Sequence, residues 1–308
     1  MSTQKKQKPT KPTKQMIKSI SILIPVHNGK CYALVKKLHD LCDTAEGLDY
    51  EIIAADDGSR DQVSVISNLR INEIDHCRYI RRTENVGRAK IRNFLASEAK
   101  HDWLLFIDCD VRIVSDNFIH NYLNPQADVV SGRTVIIPSP DPRNLRSRYE
   151  VEWATRYDAQ KLNEQPYDKF LTTNFLCRRS VFDVCRFDER YTTYGFEDVA
   201  FGIALKKNNI SIVHITNPVG LDHFETNERY MQKIEQSMHT LRAHADELRG
   251  HSPVLAIVER MQSMHLQWLL RLWQRLFGHA IRRILVKHSP SLTLLKIYKI
   301  GFFSTLKA

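Results

Sequence analysis

The first 110 residues of the chain alternate between apolar runs of strand length and segments with helical periodicity. Residues 20–26 are mostly apolar and predict a buried strand. Residues 31–45 place Leu34, Leu38 and Leu41 on one face, the spacing of an amphipathic helix. The alternation continues with predicted strands at 50–55, 77–80 and 103–107 and a predicted helix at 87–99. This pattern predicts an α/β fold with a mostly parallel sheet and helices on both faces.

Two acidic clusters follow predicted strands. Asp56 and Asp57 come directly after the second strand, and Asp108 and Asp110 come directly after the fourth. Ligands of such sheets bind at the carboxyl ends of the strands. The sequence therefore predicts a ligand site at this edge of the sheet.

The second half of the chain is less regular. Residues 128–137 and 170–177 predict further strands, and residues 196–207 and 228–248 predict helices. A helix is expected to follow the second predicted strand, with either Ser59 or Asp61 as its N-cap residue.

Beyond Pro253 the pattern becomes that of basic amphipathic helices. An apolar stripe with a period of 3.6 residues contains Leu266, Leu269, Leu270, Trp273, Phe277, Ala280, Ile281 and Ile284. Another face carries Arg271, Arg275 and Arg282, and Pro290 separates this helix from a second one at 292–303. We therefore divide the chain into a disordered basic leader (1–18), a catalytic domain (19–250) and a basic helical tail (251–308).

The formal charge of +10 is concentrated at the two ends. Residues 1–18 carry six lysines and residues 260–308 carry nine Lys or Arg, with no acidic residue in either segment. Removing these fifteen charges leaves residues 19–259 at −5. A nucleic-acid-binding protein usually has its basic patch on the folded domain, so this distribution argues against nucleic acid as a partner.

The same distribution favours a location in the cytoplasm, peripheral to the cytosolic face of a membrane. No secretory signal opens the chain, and no run reaches the roughly 18 apolar residues of a spanning helix. The tail would either pack on protein or lie in the lipid interface, with Trp268 and Trp273 inserted and its cations at anionic head groups. The lack of acidic residues from Arg260 onward favours the membrane. The six cysteines show no metal-like spacing and are expected to be reduced, mostly buried thiols.

The pair Asp108 and Asp110 suits a divalent cation shared with phosphate oxygens, because hard cations prefer oxygen ligands. Two acids that merely end a strand would give the same pattern. A phosphatase of the haloacid dehalogenase type, with Asp108 as nucleophile, is a third interpretation. That motif usually follows the first strand of its domain, whereas here three predicted strands precede it.

Two other segments have the composition of nucleotide contacts. Asp56-Asp57-Gly58-Ser59 combines carboxylates with a glycine that permits a tight turn, although an ordinary capped turn explains it equally well. Gly87, Arg88 and Arg92 open a helix whose N-terminus and guanidinium groups suit phosphate. A solvated basic helix face is the alternative.

Taken together, the ordered motifs are more specific than any one of them. S-I-L-I-P-V-H-N at 21–28, D-D-G-S at 56–59, N-V-G-R-A-K-I-R-N at 85–93 and F-I-D-C-D at 106–110 resemble the family 2 glycosyltransferases of the GT-A fold. The resemblance covers roughly residues 19–225. It implies a nucleotide-diphosphate-sugar donor, UDP-sugar being favoured, a Mn²⁺ or Mg²⁺ cofactor, and inversion at the anomeric carbon.

The resemblance also implies roles for individual residues. The nucleotide-sugar would be held by Pro25, Val26, His27, Asn28, Asp56, Asp57, Gly87, Arg88, Arg92 and Asp108. Asp110 would ligate the metal, with His223 of Leu-Asp-His as a second ligand. In Tyr194-Gly-Phe-Glu-Asp, Asp198 would deprotonate the acceptor hydroxyl and Glu197 would bind the acceptor.

Asn174, Phe175 and Arg178 are further candidates, since related enzymes have a strand beside the acceptor there. The leading interpretation is an inverting hexosyl- or N-acetylhexosaminyltransferase that acts on a glycan or lipid-linked acceptor in surface polysaccharide or glycolipid assembly. The alternatives are an Asp-dependent phosphatase or nucleotidyltransferase, and a non-catalytic scaffold that keeps the fold.

Overall fold

The computed structural model describes residues 16–287 and 290–307. All but the last three residues of the predicted leader (1–18) therefore lie outside the described residues. The strands are β1 (Ser19–Val26), β2 (Asp49–Asp56), β3 (Cys77–Arg81), β4 (Trp103–Ile107), β5 (Arg112–Ile113), β6 (Val129–Ser131), β7 (Thr134–Ile136), β8 (Asn174–Arg178), β9 (Ile212–His214) and β10 (Val219–Leu221).

The helices alternate with these strands in the first half and dominate the end of the chain. They are α1 (Tyr32–Asp43), α2 (Gln62–Leu69), α3 (Arg88–Glu98), α4 (Leu145–Arg156), α5 (Ala159–Glu164), α6 (Arg179–Val184), α7 (Glu197–Lys207), α8 (Asn227–Ala243), α9 (Pro253–Ser263), α10 (Gln267–Lys287) and α11 (Leu292–Thr305). Of the two predicted caps, Asp61 begins α2, where its side chain accepts a hydrogen bond from the Val63 N–H.

Seven strands form the central sheet in the order β3-β2-β1-β4-β8-β6-β9. Only β8 runs antiparallel to its neighbours β4 and β6, so the predicted mostly parallel α/β sheet is confirmed. Strands β1 and β2 pair in register from Ser19 opposite Asp49 to Val26 opposite Asp56. Both strands therefore end at the same level, which brings the residues that follow them together.

A second sheet of three short strands, in the order β5-β10-β7, lies beside the first. The prediction of one continuous strand at 128–137 is wrong. The segment divides into β6, which belongs to the central sheet, and β7, which belongs to the small one. Gly132 and Arg133 lie between the two strands, and Arg133 has a φ of 72°, which ends the extended backbone. The strand predicted at 170–177 begins only at Asn174.

Apolar side chains cover both faces of the central sheet. Ile22 and Ile24 of β1 belong to a core that includes Leu38 of α1, while Leu23 faces the other way into a core that includes Leu95 of α3. The alternation follows from the two-residue period of a strand. All six cysteines are free thiols and four of them are buried, as expected.

The C-terminal helices pack on the rest of the chain through two further cores. Ile281 and Leu285 of α10 and Leu295 of α11 pack with Leu145 of α4 and Met231 of α8. A second core joins α8, α9 and α11 with the segment that precedes α7. Packing therefore buries part of the predicted apolar stripe.

Two of the three arginines on the predicted basic face are also held within the molecule. Arg282 pairs with Glu228 and Glu235, at 2.7 Å in each case, and Arg271 donates to the Ser304 carbonyl at 3.0 Å. Among the described residues, Arg275 has no carboxylate within salt-bridge distance. No helix within residues 16–287 and 290–307 has both the length and the apolar character needed to cross a bilayer.

Candidate active site

A groove of about 720 Å³ opens at the carboxyl ends of β1, β2 and β3. Its walls are the segment after β1 (His27 and Asn28), the turn after β2 (58–62) and the segment after β3 (83–85). His27 and Asn28, which are predicted to lie beside a base, line this groove. Val26, predicted with them, is 1% exposed and contributes to the core. Pro25 belongs to β1 and does not line the groove either.

Asn28 fixes the position of the turn after β2. Its Oδ1 accepts from the backbone N–H groups of Arg60 and Asp61 at 2.9 and 3.1 Å, and its own N–H donates to Ser59 Oγ at 2.7 Å. The groove is therefore held open by side chain to backbone hydrogen bonds between two consecutive strand ends.

The two adjacent carboxylates after β2 hold two different parts of the chain. Asp57 accepts from the N–H groups of Val86 at 2.8 Å and Gly87 at 2.9 Å. Asp56 is fully buried and accepts from the Ser59 N–H and the Tyr79 hydroxyl. The interpretation of Asp56 as a direct nucleotide contact needs correction, since no surface of its side chain is available to a ligand. Asp57, at 3% exposure, supports the loop that contains Gly87.

Glycine is required at position 58 of the turn. Its φ is +66°, and a Cβ there would lie 2.5 Å from Asn85 N and Glu84 C. The backbone of the two groove walls can approach this closely only where no side chain is present.

Arg88 and Arg92 lie one turn apart on α3 but have different surroundings. Arg92 is 1% exposed, and its guanidinium donates to Asp108 Oδ1 at 2.6 Å. About half of the Arg88 side chain is exposed, and it reaches Glu197 Oε1 at 3.3 Å and lies 4.9 Å from the centre of the Tyr194 ring. Arg88 is thus the guanidinium that a ligand can reach, and Arg92 positions Asp108.

Asp110 follows β4 on a solvent-accessible turn. The protein around it removes part of its hydration, and this burial, followed by the charge of Asp108, raises the pKa of Asp110; Arg146 and Arg88 oppose the rise. No cation forms a salt bridge with it in the described part of the chain. An oxygen ligand whose charge is disfavoured and unpaired fits a divalent cation.

The chain offers few ligands for such a cation. Across residues 16–287 and 290–307, no three His, Cys, Asp or Glu side chains converge as a ligand set. The donor chemistry therefore fits a cation that takes most of its ligands from a bound diphosphate, and does not fit a cage made of protein alone.

His223 is exposed and lies two residues beyond β10. Strand β10 pairs antiparallel with β5, with Gly220 opposite Arg112, and the side chain of Asp222 contacts Arg112 at 3.2 Å. Because the two strands are antiparallel, the segment that precedes β5 and contains Asp110 leaves the sheet at the same end as the segment that follows β10 and contains His223. The small sheet thus brings the two predicted metal ligands to the same end, although their role as ligands stays a prediction.

Glu197 and Asp198 form the first turn of α7, as the sequence indicates. The residue before them, Phe196, has a φ of 68°, and such strained backbone in a non-glycine residue often marks a functional site. Burial, followed by the charge of Glu197, raises the pKa of Asp198 to about 7, against the opposing effects of Arg88 and Arg92. A carboxylate with this pKa can accept a proton near neutral pH.

Glu197, predicted to bind the acceptor, is engaged within the protein. Its side chain is 5% exposed and is paired with Arg88. The side chain of Glu197 is therefore less open to an acceptor than that of Asp198, which is partly exposed.

The three candidates on β8 have their side chains engaged within the protein. Asn174 is buried and donates to the carbonyls of Arg133 and Asn217, while Phe175 stacks on Phe106 in the core at 4.8 Å between ring centres. Arg178 lies over the ring of Trp103 at 4.4 Å. These residues hold β8 in the sheet, so their prediction as acceptor contacts is corrected.

Sequence reasoning missed the contribution of α4. The charge of Arg146 opposes the rise in the pKa of Asp110, and the partly exposed Glu150 has its own pKa raised, by partial desolvation and then by Glu225 and Asp110. Arg146 pairs with Glu225, which also accepts from Lys233 at 2.8 Å. The spacing of Arg146 and Glu150, one helical turn, is the one signal that the sequence carried for this pair.

The family model "Glycosyl transferase family 2" matches residues 21–186. The chain is 25% identical over 229 residues to chondroitin synthase of Escherichia coli, covering 63% of this chain and 33% of that synthase. It is 24% identical over 286 residues to the uncharacterized glycosyltransferase YfnE of Bacillus subtilis, covering 73% of this chain and 72% of that protein. The chain thus spans about a third of the length of the first of these relatives.

Among solved structures, S. aureus TarS 1–349 in complex with UDP aligns with a TM-score of 0.51 at 17% identity. The alignment covers 93% of this chain and 89% of that one. At this level of identity the likeness demonstrates the fold, which is GT-A.

Proposed function

Because the chain belongs to glycosyltransferase family 2, we propose that it is an inverting, metal-dependent transferase of a hexose or N-acetylhexosamine from a nucleotide-diphosphate-sugar. One observation carries the proposal. Two arginines of α3 pair with acids of the two proposed functional segments: Arg88 with Glu197 at 3.3 Å, next to Asp198, and Arg92 with Asp108 at 2.6 Å, two residues before Asp110. This supports the proposal that a carboxylate suited to a metal and one suited to a base serve the same site. The two ends of a displacement reaction need these two functions.

The donor would lie across the strand ends. The groove bounded by His27, Asn28 and the turn after β2 has the position and size for a nucleoside. Gly87 and Arg88, at the start of α3, would face the diphosphate, since helix N-termini and guanidinium groups bind phosphate. We propose UDP as the nucleotide, because TarS 1–349, which aligns over most of both chains, is a complex with UDP.

The reaction would be a single displacement. Asp198 takes the proton of the acceptor hydroxyl as its oxygen forms a bond to the anomeric carbon. The bond from that carbon to the diphosphate oxygen breaks on the opposite face, and the nucleoside diphosphate leaves with the electron pair. A Mn²⁺ or Mg²⁺ ion held by Asp110, with His223 as the second candidate, would neutralise the diphosphate charge.

The surroundings of Asp108 argue against the phosphatase alternative. A nucleophilic carboxylate must be free to attack phosphorus, whereas Asp108 is engaged by the buried Arg92. The raised pKa of Asp198 argues against a scaffold without activity. Burying a carboxylate in this way lowers the stability of the fold, whereas a general base needs a raised pKa.

We place the acceptor in surface polysaccharide or glycolipid assembly, at the cytosolic face of a membrane. Chondroitin synthase supports the polysaccharide assignment by similarity. The membrane assignment is supported by α10, which exposes Trp268, Leu272, Leu276 and Phe277 with Arg275 among them.

The test is release of nucleoside diphosphate from a panel of UDP-, GDP- and dTDP-sugars with Mn²⁺ or Mg²⁺, with and without chelator. Asp198→Asn is expected to lose about 10²–10⁴-fold in rate, the usual contribution of a general base. Asp110→Ala is expected to lose the metal-dependent rate. The control is Asp183→Asn, which removes an exposed carboxylate on α6 and should keep full activity.

Retained activity in Asp198→Asn would overturn the assignment of the base. A panel that gives neither release nor donor binding by calorimetry would overturn the transferase proposal as a whole, and labelling of Asp108 by phosphate donors would then be measured.

A further inference from the structure

A second groove, of about 460 Å³, lies between α4, α9 and α11, and none of its lining is part of the nucleotide groove. One wall is the α4 face that carries Tyr149, Trp153 and Tyr157, at successive turns of the helix and the residue after it. The rings of Trp153 and Tyr157 are 5.4 Å apart between centres. Residues four apart lie on the same face of a helix, so Tyr149, Trp153 and Tyr157 form an aromatic strip along one face of α4.

Four cations face this strip and a single carboxylate lies among them. Lys169 lies over the Tyr157 ring at 5.8 Å, and Lys299 lies over the Tyr149 ring at 5.5 Å. Lys296 and Arg156 share Glu152, at 2.9 Å each. In the described ranges, neither Lys169 nor Lys299 has a carboxylate within 4.0 Å.

The electrostatic environment favours an anion here. Burial, followed by the charge of Lys296, lowers the pKa of Lys299. A carboxylate or phosphate placed between the ammonium groups of Lys296 and Lys299 would raise the pKa of Lys299 again. Aromatic faces with nearby cations suit a sugar polymer that carries negative charge, since the rings cover the apolar faces of the sugars and the ammonium groups bind the acidic substituents.

The Tyr149 end of the groove lies toward the segment that leads into α7. The Tyr149 ring contacts Tyr230 of α8, at 6.4 Å between ring centres, and Lys233 in the next turn of α8 lies 5.5 Å from the centre of the Tyr194 ring. Tyr194 precedes Asp198 by four residues. Burial raises the pKa of Tyr149 to about 12, and the charges of Glu150, Tyr194 and Asp198 add to the rise. A chain bound along α4 would extend from Tyr157 toward Tyr149 and end beside the base.

We propose that the groove formed by Tyr149, Trp153, Tyr157, Lys169 and Lys299 binds the acceptor, and that this acceptor is an anionic glycan carrying carboxylate or phosphate groups. The assignment rests on the proposed transferase function and names the chemical class of its acceptor. Bound in this way, the chain would present its terminal hydroxyl to Asp198.

Direct binding tests the assignment without any donor. Three labelled oligomers of similar length serve as probes in fluorescence anisotropy: an unsulfated chondroitin octasaccharide for carboxylates, poly(glycerol phosphate) for phosphates, and maltooctaose as the neutral chain. We expect at least one anionic probe to bind at least ten-fold more tightly than maltooctaose. The preferred probe identifies which acidic group the groove takes.

The matched variants are Lys169→Gln/Lys299→Gln and Lys206→Gln/Lys207→Gln. Both remove two charges, but Lys206 and Lys207 are exposed at the end of α7, away from the groove. The first variant is expected to weaken anionic binding by about ten-fold per lost cation, the value of a charge-assisted contact. The second should bind like wild type. Trp153→Ala should weaken binding of all saccharide probes, because it removes the centre of the strip.

Equal loss in both lysine variants would mean attraction by net charge alone and would overturn the assignment, as would equal affinity for all three probes. The proposed function has a separate readout in donor turnover. Anionic binding that depends on Lys169 and Lys299, with neither donor turnover nor donor binding, would refute the transferase and leave the groove as an anion-binding site without an acceptor role. Turnover that is indifferent to both lysines in the presence of its acceptor would do the reverse.

Discussion

Asp198 is the residue whose chemistry depends most on its neighbours. Its carboxylate is desolvated at the start of α7 and lies beside Glu197, and these two causes raise its pKa to about 7. A general base functions only when deprotonated. The rate of transfer is therefore expected to fall as the pH drops below about 7, by up to ten-fold for each further pH unit.

Glu197→Gln provides the test of this cause. The substitution removes a negative charge next to Asp198 and leaves the positive charge of Arg88 without its partner. Both changes lower the pKa of Asp198, so the acid limb of the kcat/KM profile should move to lower pH. Glu164→Gln, at an exposed position on α5, should leave the limb in place. A limb that stays near pH 7 in Glu197→Gln would show that another group controls it.

At the scale of single residues, the sequence predicted which segments meet at the strand ends but not which of their side chains are buried. Arg88 and Arg92 have the same side chain and lie on the same face of α3, yet one is half exposed and the other is buried against Asp108. Asp56 and Asp57 likewise face different partners. Burial depends on contacts from distant segments, and a local motif contains no record of them.

At the scale of elements, the turn after β2 shows how little freedom the nucleotide groove has. A Cβ at Gly58 would meet the backbone of Glu84 and Asn85 at 2.5 Å, so the opposite wall of the groove would have to move. Gly58→Ala is expected to raise the KM for the donor by roughly ten-fold, equivalent to about 1.4 kcal/mol of binding. The measurement is donor titration at saturating metal.

Gly47→Ala is the matched control for this prediction. Gly47 has a φ of +71°, almost the same as Gly58, but nothing lies within 4 Å of the Cβ it would gain. Both variants should lose about 1–2 kcal/mol of stability from the strained backbone. Only Gly58→Ala should change the KM, and an unchanged KM there would mean that the groove does not hold the donor.

The first four strands and three helices could be predicted from periodicity because each is a long apolar run or a clear amphipathic segment. The short strands β5 and β9 were not predicted, since two or three residues carry no period, and β6 and β7 were predicted only as one strand at 128–137. The break between β6 and β7 has a tertiary cause: a Cβ at Gly132 would lie 1.9 Å from the Tyr122 hydroxyl. The role of α4 was not predicted for a similar reason, because its packing partners β7, α8 and α11 come from distant parts of the chain.

At the scale of the whole molecule, α10 has two apolar faces with different environments. Ile281 and Leu285 are buried against α4 and α8, and Arg282 is held by Glu228 and Glu235. The opposite face exposes Leu272 by 45% and Leu276 by 64%. The two sequence interpretations of this helix, packing on protein and insertion into lipid, therefore apply to different faces and are compatible with each other.

The exposed face gives the last prediction. Leu272→Glu/Leu276→Glu should reduce co-sedimentation with vesicles containing anionic lipid by at least ten-fold, since each buried leucine contributes about 1.5–3 kcal/mol. Ile66→Glu/Leu69→Glu adds the same charge at two exposed apolar positions of α2 (65% and 48%) and should bind vesicles like wild type. Donor turnover in detergent-free buffer should be the same in both variants, because neither pair contacts the active site. If both variants bind vesicles as well as wild type does, α10 does not face the membrane, and its exposed leucines would then be a contact surface for a protein. If both lose binding equally, net charge governs the association and the position of α10 has no special part in it.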